Sequence, residues 1–284
     1  MRLLFRGLIH PGMPIPGQRR VLRLLTAGMP VTPGVPRSNE IIAERPCEWH
    51  RPPNSQGKVI LYLHGGAYLI GSPATHRGLC AALAKQSRWS LCALDYRLAP
   101  EHPFPAARDD ALGAYQALLT RGYAAEDIAI AGDSAGAHLA LLLCLRLAEL
   151  SLPLPGALLC FSPVVDFTGE QLHTPPAGDP LLNPRWIEQA ADLFCPIGRD
   201  RRDPELSPIN AELALLPPLL IQVGEDELLL NDSLRLSQKA QAAGVQVQLE
   251  RYPGCWHVFQ ASSGLLKVAD TALARAAAFL NRHH

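Results

Sequence analysis

The chain has 284 residues, of which 48% are hydrophobic and 18% charged, and its 26 basic side chains balance its 26 acidic ones. This composition excludes a disordered protein and gives no net field that would attract nucleic acid or an anionic membrane surface. The length is sufficient for a large core, so we expect one main domain with a small helical appendage.

Cysteine usage and hydropathy limit the class of protein further. The seven cysteines are scattered singly, without a C-x-x-C pair or a His-rich cluster, so we expect reduced thiols in a cytoplasmic protein and no metal site. Near the start, Arg6, Gly7 and His10 interrupt any signal-peptide core. No apolar run approaches the ~18 residues of a membrane span, so we expect no stable membrane insertion.

The first 45 residues combine a short apolar and basic segment, 21–25, with many prolines and glycines. This pattern predicts one or two helices tied to loops. We therefore divide the chain into an N-terminal segment, 1–45, and a main domain, 46–284.

Strands and helices alternate from residue 58 onwards. Strands are predicted at 58–63, 90–94, 128–131, 156–161, 219–223 and 245–251. Helices are predicted at 77–86, 106–120, 135–150, 184–194, 228–243 and 264–281. The alternation predicts an α/β fold with a mostly parallel sheet and helices on both faces. Residues 168–210 break the pattern and predict an insertion above the strand ends, where open α/β sheets bind ligands.

A G-x-S-x-G motif, Gly132 to Gly136, stands directly after one predicted strand and before a predicted helix. In this context it indicates a nucleophile elbow, a tight turn that exposes the hydroxyl of Ser134 at the sheet edge. The alternative for the motif alone is a glycine-rich helix start.

A second glycine loop, His64-Gly65-Gly66-Ala67, follows the strand at 58–63. Such a loop can turn backbone N–H groups toward an oxygen that becomes negative during acyl transfer. We predict that Gly65 and Gly66, with Ala135 of the elbow, form an oxyanion hole, and that His64 orients the loop. A simple turn at the end of a strand is the alternative.

An activated serine requires a base and a group that holds the base. Among ten histidines, His257 follows the last predicted strand, from which a loop can carry it to Ser134. The acid is expected after the strand at 219–223, where Glu225, Asp226 and Glu227 compete, with Asp232 a more distant alternative. The residues alone do not choose among the three.

Together these motifs resemble the hormone-sensitive-lipase-like family of α/β-hydrolases over residues 55–280. The motifs that carry the resemblance are His64–Tyr68, Asp95–Pro105, Gly132–Gly136, Ser162–Asp166 and Tyr252–His257. The chain departs from the family pattern at Ala67, where a third glycine is usual, and we expect activity to survive this change.

The resemblance implies a serine carboxylesterase that acts on short- to medium-chain esters without metal or cofactor. Aligned from Pro217-Pro218, Glu227 occupies the position of the family's acid, so we select Glu227 and keep Asp226 as the alternative. The resemblance also implies that the N-terminal segment and the insertion at 168–210 form a cap.

The expected partner is a small ester, with no nucleic acid and with a homodimer as an open possibility. Tyr68, Trp186 and Phe194 are candidate pocket residues, although aromatic side chains in α/β enzymes are more often core. Two other functions stay open: an amidase or lactone hydrolase that uses the same triad, and a non-catalytic small-molecule receptor on the same fold.

Overall fold

The computed structural model describes residues 9–55 and 57–283, and its centre is an eight-stranded sheet. The strands are β1 (Arg37–Ile42), β2 (Arg45–His50), β3 (Val59–Leu63), β4 (Ser90–Leu94), β5 (Ile128–Asp133), β6 (Ala157–Phe161), β7 (Leu219–Gly224) and β8 (Val247–Tyr252). Their order in the sheet is β1-β2-β4-β3-β5-β6-β7-β8. Strands β3 to β8 pair in parallel, whereas β1 and β2 are antiparallel. Every residue of β3 to β7 is buried, as expected for the short apolar runs that predicted them.

Helices cover both faces of the sheet, as predicted. They are α1 (Ile15–Ala27), α2 (Arg77–Ser87), α3 (Ala106–Thr120), α4 (Ala135–Glu149), α5 (Pro184–Phe194), α6 (Leu230–Ala242) and α7 (Lys267–Arg282). Alternate residues of β3 point to opposite sides: Ile60 and Tyr62 pack with α2 and α7, and Leu61 and Leu63 pack with α3, α4 and α6. The α/β-hydrolase architecture expected from the sequence is therefore confirmed.

The N-terminal region differs from the prediction of helices and loops alone. Strands β1 and β2 form a hairpin that joins the sheet through β4. The boundary predicted at residue 45 falls at the first residue of β2, inside this hairpin. The polar sequence of β1, largely exposed at the sheet edge, lacks the apolar run that marks the central strands. Residues 1–8 of the predicted N-terminal segment lie outside the described residues.

Helix α1 packs against the insertion. The indole N–H of Trp186 on α5 donates to Oε1 of Gln18 at 2.8 Å, and Gln189 donates to the carbonyl of Pro11 at 3.1 Å. Arg19 of α1 also donates to the Leu69 carbonyl at 2.7 Å. The two segments expected to form a cap are thus in contact with each other.

Two further features concern the chain as a whole. All seven cysteines are buried and free. Within the described ranges 9–55 and 57–283, the structure contains no helix of the length and apolar character that crossing a bilayer requires.

Candidate active site

Ser134 occupies a tight turn between β5 and α4, with φ of 53° and ψ of −121°. A Cβ at Gly136 would run into the carbonyl oxygen of Leu63 in β3, so only glycine allows the helix to approach the sheet this closely. The backbone N–H of Ser134 donates to the Phe161 carbonyl at the end of β6, at 2.8 Å. This geometry is that of a nucleophile elbow, as the motif predicts.

The glycine loop after β3 lies beside the elbow, but one of its predicted roles is wrong. The N–H of Gly65 donates to Oδ1 of Asp133 at 3.0 Å, so it is not available to a substrate oxygen. The N–H groups of Gly66, Ala67 and Ala135 have no acceptor among the described residues. Gly66, with φ of 121°, has no room for a Cβ against the Ile70 carbonyl, which explains why this position requires glycine.

Asp133 holds this loop through a buried set of hydrogen bonds. Besides Gly65, its Oδ1 accepts from the hydroxyl of Tyr62 at 2.6 Å, and His76 lies 3.4 Å from its Oδ2. Burial would raise the pKa of Asp133, but the charge and hydrogen bonds of His76 and Tyr62 lower it overall. The carboxylate is therefore kept ionised directly beneath the elbow.

His64 also supports the loop, as expected from the sequence. Its ring stacks on Tyr96 at a centroid distance of 4.3 Å, and its Nδ1 contacts the Gly65 carbonyl at 2.9 Å. Burial lowers the pKa of His64 to about 3, so the ring is neutral and Nδ1 is the donor to that carbonyl. A neutral, buried ring fixed in this way orients the loop and is not poised to transfer protons.

His257 and Glu227 are both buried and lie in the loops that follow the carboxyl ends of β8 and β7. Nδ1 of His257 lies 3.0 Å from Oε1 of Glu227, and the Glu227 side chain is completely buried. Burial by itself would lower the pKa of His257, but the hydrogen bond and charge of Glu227 outweigh it and raise the pKa. Since a carboxylate only accepts, Nδ1 carries the proton and Nε2 is left as the basic nitrogen.

The other acidic candidates face elsewhere. Glu225 pairs with Arg251 at 2.8 Å, Asp226 is only partly buried, and Asp232 accepts from the Val165 N–H at 2.8 Å. Burial raises the pKa of Asp232 to about 7. Of these carboxylates, Glu227 is the one that contacts His257.

Ser162 connects the parts of the site, and its role was not predicted from the sequence. Its hydroxyl donates to Oε2 of Glu227 at 2.8 Å and accepts from the Val258 N–H at 3.2 Å. Ser162 directly follows Phe161, which holds the Ser134 backbone. The end of β6 therefore contacts the elbow, the acid and the histidine loop. The one signal in the sequence was the serine at the start of the Ser162–Asp166 motif. The contacts of Ser162 are with residues distant in sequence, so the motif did not predict them.

The three candidate pocket aromatics are buried. Tyr68 and Phe194 stack at a centroid distance of 3.8 Å, and the hydroxyl of Tyr68 donates to Nδ1 of His138 at 2.7 Å. Trp186 is held by Gln18. These side chains join the glycine loop to the insertion and α1, and their contact with a substrate stays a prediction.

Comparison with known proteins places this arrangement in a family. A family model described as alpha/beta hydrolase fold matches residues 60–261. An acetyl-hydrolase of Streptomyces hygroscopicus is 40% identical over 250 residues, covering 87% of this chain and 83% of its own length. An esterase of Acinetobacter venetianus is 40% identical over 227 residues, covering 79% and 75%.

A crystal structure of a hormone-sensitive lipase from a metagenome library superposes with a TM-score of 0.94 at 38% identity, covering 99% of this chain and 96% of that one. The fold and the elbow define an α/β-hydrolase. The chain belongs to the hormone-sensitive-lipase-like family of α/β-hydrolases.

Proposed function

We propose that this chain is a serine carboxylesterase that hydrolyses small carboxylic esters of short to medium acyl length. The observation that carries the proposal is the contact of Glu227 with His257 at 3.0 Å, a pair that Ser162 and the adjacent Phe161 connect to the Ser134 elbow. The names of the acetyl-hydrolase and esterase relatives support the reaction class.

In the proposed reaction, Ser134 Oγ attacks the ester carbonyl while Nε2 of His257 accepts the hydroxyl proton. The carbonyl π electrons move to the oxygen, and the resulting anion is stabilised by the N–H groups of Gly66, Ala67 and Ala135. His257 then gives its proton to the departing alkoxide, which leaves as the alcohol. Water, activated by the same nitrogen, attacks the acyl-enzyme, and the carboxylic acid leaves as Ser134 regains its proton.

Glu227 has two roles in this scheme. It holds His257 in the tautomer that leaves Nε2 free, and its negative charge stabilises the imidazolium that forms after proton transfer. Because Ser162 and the Gly224 N–H both donate to its Oε2, the carboxylate is oriented before the substrate arrives. These groups supply the proposed chemistry without a metal or organic cofactor.

The preference for small esters rests on the cap that the family resemblance implies over the site. Helices α1 and α5 pack on each other through Gln18 and Trp186, and Phe194 stacks on Tyr68 of the glycine loop, so the covering segments are tied to the site.

We place the protein in the cytoplasm on the ground of its seven free thiols. The proposed partner is the ester alone, with no nucleic acid, and a homodimer is compatible with the proposal.

Hydrolysis of p-nitrophenyl esters from acetate to palmitate by the purified protein tests the proposal. Turnover that is highest on the short esters and absent in the Ser134→Ala variant is expected. Ser151 is a matched control, because it shares the φ of 53° but lies exposed after α4, so Ser151→Ala should keep full activity. Substantial activity in Ser134→Ala would refute the assignment of the nucleophile.

The same triad would also hydrolyse amides or lactones, and turnover of these substrates without ester turnover would favour that function. A receptor function is disfavoured by the intact contact between His257 and Glu227. A folded protein that binds esters but turns over none of these substrates would support it.

A further inference from the structure

Asp179 is a buried acidic residue of the insertion and has no part in the mechanism described so far. Its side chain is completely buried. Oδ1 accepts from the N–H groups of Leu181 and Leu182 at 2.7 and 2.8 Å, and Oδ2 accepts from the N–H of Leu228 at 2.8 Å. Both carboxylate oxygens are therefore held by backbone donors, two from the insertion and one from outside it.

The donor from outside the insertion, the N–H of Leu228, belongs to the turn that carries the triad acid. Leu228 directly follows Glu227, and its carbonyl accepts from the N–H of His173, another insertion residue, at 2.8 Å. Both backbone polar groups of Leu228 are thus bonded to the insertion. The insertion consequently fixes the turn on which Glu227 stands.

Asp179 also contributes to the electrostatics of the base. The charged groups that act on His257 come from three elements: Glu227 from the turn after β7, Asp179 from the insertion and Asp133 from β5. Burial lowers the pKa of His257, Glu227 raises it most strongly, and the charges of Asp179 and Asp133 raise it further. Besides Glu227, carboxylates of the insertion and of β5 therefore favour the charged form of His257.

We propose that Asp179 is a positioning residue of the esterase, which sets the placement of Glu227, and so its contact with His257, through Leu228. This inference rests on the proposed function, since it assigns the insertion a part in proton transfer. The insertion then acts on the chemistry and does not only cover the site.

The pKa of His257 tests the placement of Glu227 without any turnover, because the contact with Glu227 raises that pKa. In ¹³C-labelled full-length protein carrying Ser134→Ala, the Cε1 shift of His257 is followed against pH by NMR. Adding Asp179→Asn should lower this pKa by about 0.5. Asp203→Asn is the matched control, because Asp203 caps a turn of the same insertion through the Glu205 N–H and is not among the charges that act most strongly on His257. Equal shifts in the two variants, or none in either, would overturn the proposal.

Kinetics test the positioning role. With p-nitrophenyl butyrate, Asp179→Asn should lower kcat about tenfold, because an amide cannot accept from all three donors, while KM changes less than twofold. A rise in KM with kcat intact would mean that Asp179 only shapes the cap, and the proposal would fail.

A second variant tests the proposal if Asp179→Asn does not fold. Asp179→Glu keeps the charge but displaces the carboxylate by one methylene, so kcat should fall while the acidic limb of the pH profile stays in place. Unchanged kcat in this variant would contradict the positioning role. If the wild-type protein turns over no ester, the esterase function fails, and the NMR titration still decides whether Asp179 acts on His257.

Discussion

Ser162 and Glu227 are joined by a hydrogen bond of 2.8 Å, from the serine hydroxyl to the carboxylate oxygen that faces away from His257. Each oxygen of the buried acid therefore has its own partner. A carboxylate bound on both sides cannot rotate without breaking a buried hydrogen bond, which costs about 1–3 kcal/mol. The orientation of His257 is set by this fixed carboxylate.

Removal of the Ser162 hydroxyl should therefore impair catalysis. We expect Ser162→Ala to lower kcat about tenfold with little change in KM, because Glu227 loses a donor and the Val258 N–H loses its acceptor. Steady-state kinetics on p-nitrophenyl butyrate measure the effect. Ser233→Ala is the matched control, since that buried hydroxyl has no partner in the described structure and its loss should be neutral. Equal losses in the two variants would mean that the Ser162 contact has no catalytic consequence.

Substitution of the acid should cost far more rate than substitution of its neighbour. In Glu227→Gln the amide can donate to His257 and favour the wrong tautomer, so we expect kcat to fall about 10³- to 10⁴-fold. Asp226→Asn should stay within about twofold of wild type, because Asp226 is only partly buried and does not contact His257. The two variants are compared in the same assay, and a greater loss at Asp226 would contradict the assignment.

The pH dependence follows from the direction of the His257 shift. His257 must be neutral to accept the serine proton, and its pKa is raised above the usual 6.5, so kcat/KM should rise with pH along a limb centred above 6.5. The raised pKa of His257 also contributes to the free energy of unfolding. This contribution is fully present below pH 6.5 and is lost as the pH rises through the pKa of the folded state. A pH profile of kcat/KM gives the limb, and a midpoint below 6.5 would show that burial outweighs Glu227. Glu227→Gln should move the limb downward.

The elbow should not tolerate a side chain at Gly136. A Cβ there would overlap the carbonyl oxygens of Leu63 and His64, which are backbone atoms and cannot easily move. We expect Gly136→Ala to destabilise the protein by about 1–3 kcal/mol or more and to remove activity. Gly28→Ala is the control, because a Cβ at Gly28 meets nothing within 4 Å. Urea unfolding of both variants measures the difference, and equal midpoints would contradict the steric argument.

The sequence predicted the parts of this molecule that depend on local pattern. Short apolar runs located the strands from β3 to β7, the last strand was predicted at 245–251 where β8 lies, and a strand–turn–helix context pointed to Ser134. The contact of Glu227 with His257 agrees with the acid selected by alignment, although the residues alone did not distinguish it from Asp226.

Contacts between distant residues were not predictable in this way. Ser162 lies 65 positions before Glu227, and Asp179 lies 49 positions before Leu228, so no periodicity or motif relates them. The role predicted for Gly65 was wrong for the same reason, because its N–H is taken by Asp133, 68 positions later. Of the hairpin, β1 was missed because a polar edge strand has no apolar signature, and β2 because charged residues interrupt its apolar ones although most of the strand is buried.

The order of the strands along the chain determines at which stage of synthesis and folding this enzyme can first turn over an ester. The glycine loop follows β3 and the proposed nucleophile Ser134 follows β5, two strands that pair directly, whereas the proposed acid and base follow β7 and β8 at the far edge. A nascent chain that has completed β5 possesses the nucleophile but neither its acid nor its base. Ester turnover would then appear only once the last strand has docked, so activity reports assembly of the whole parallel sheet.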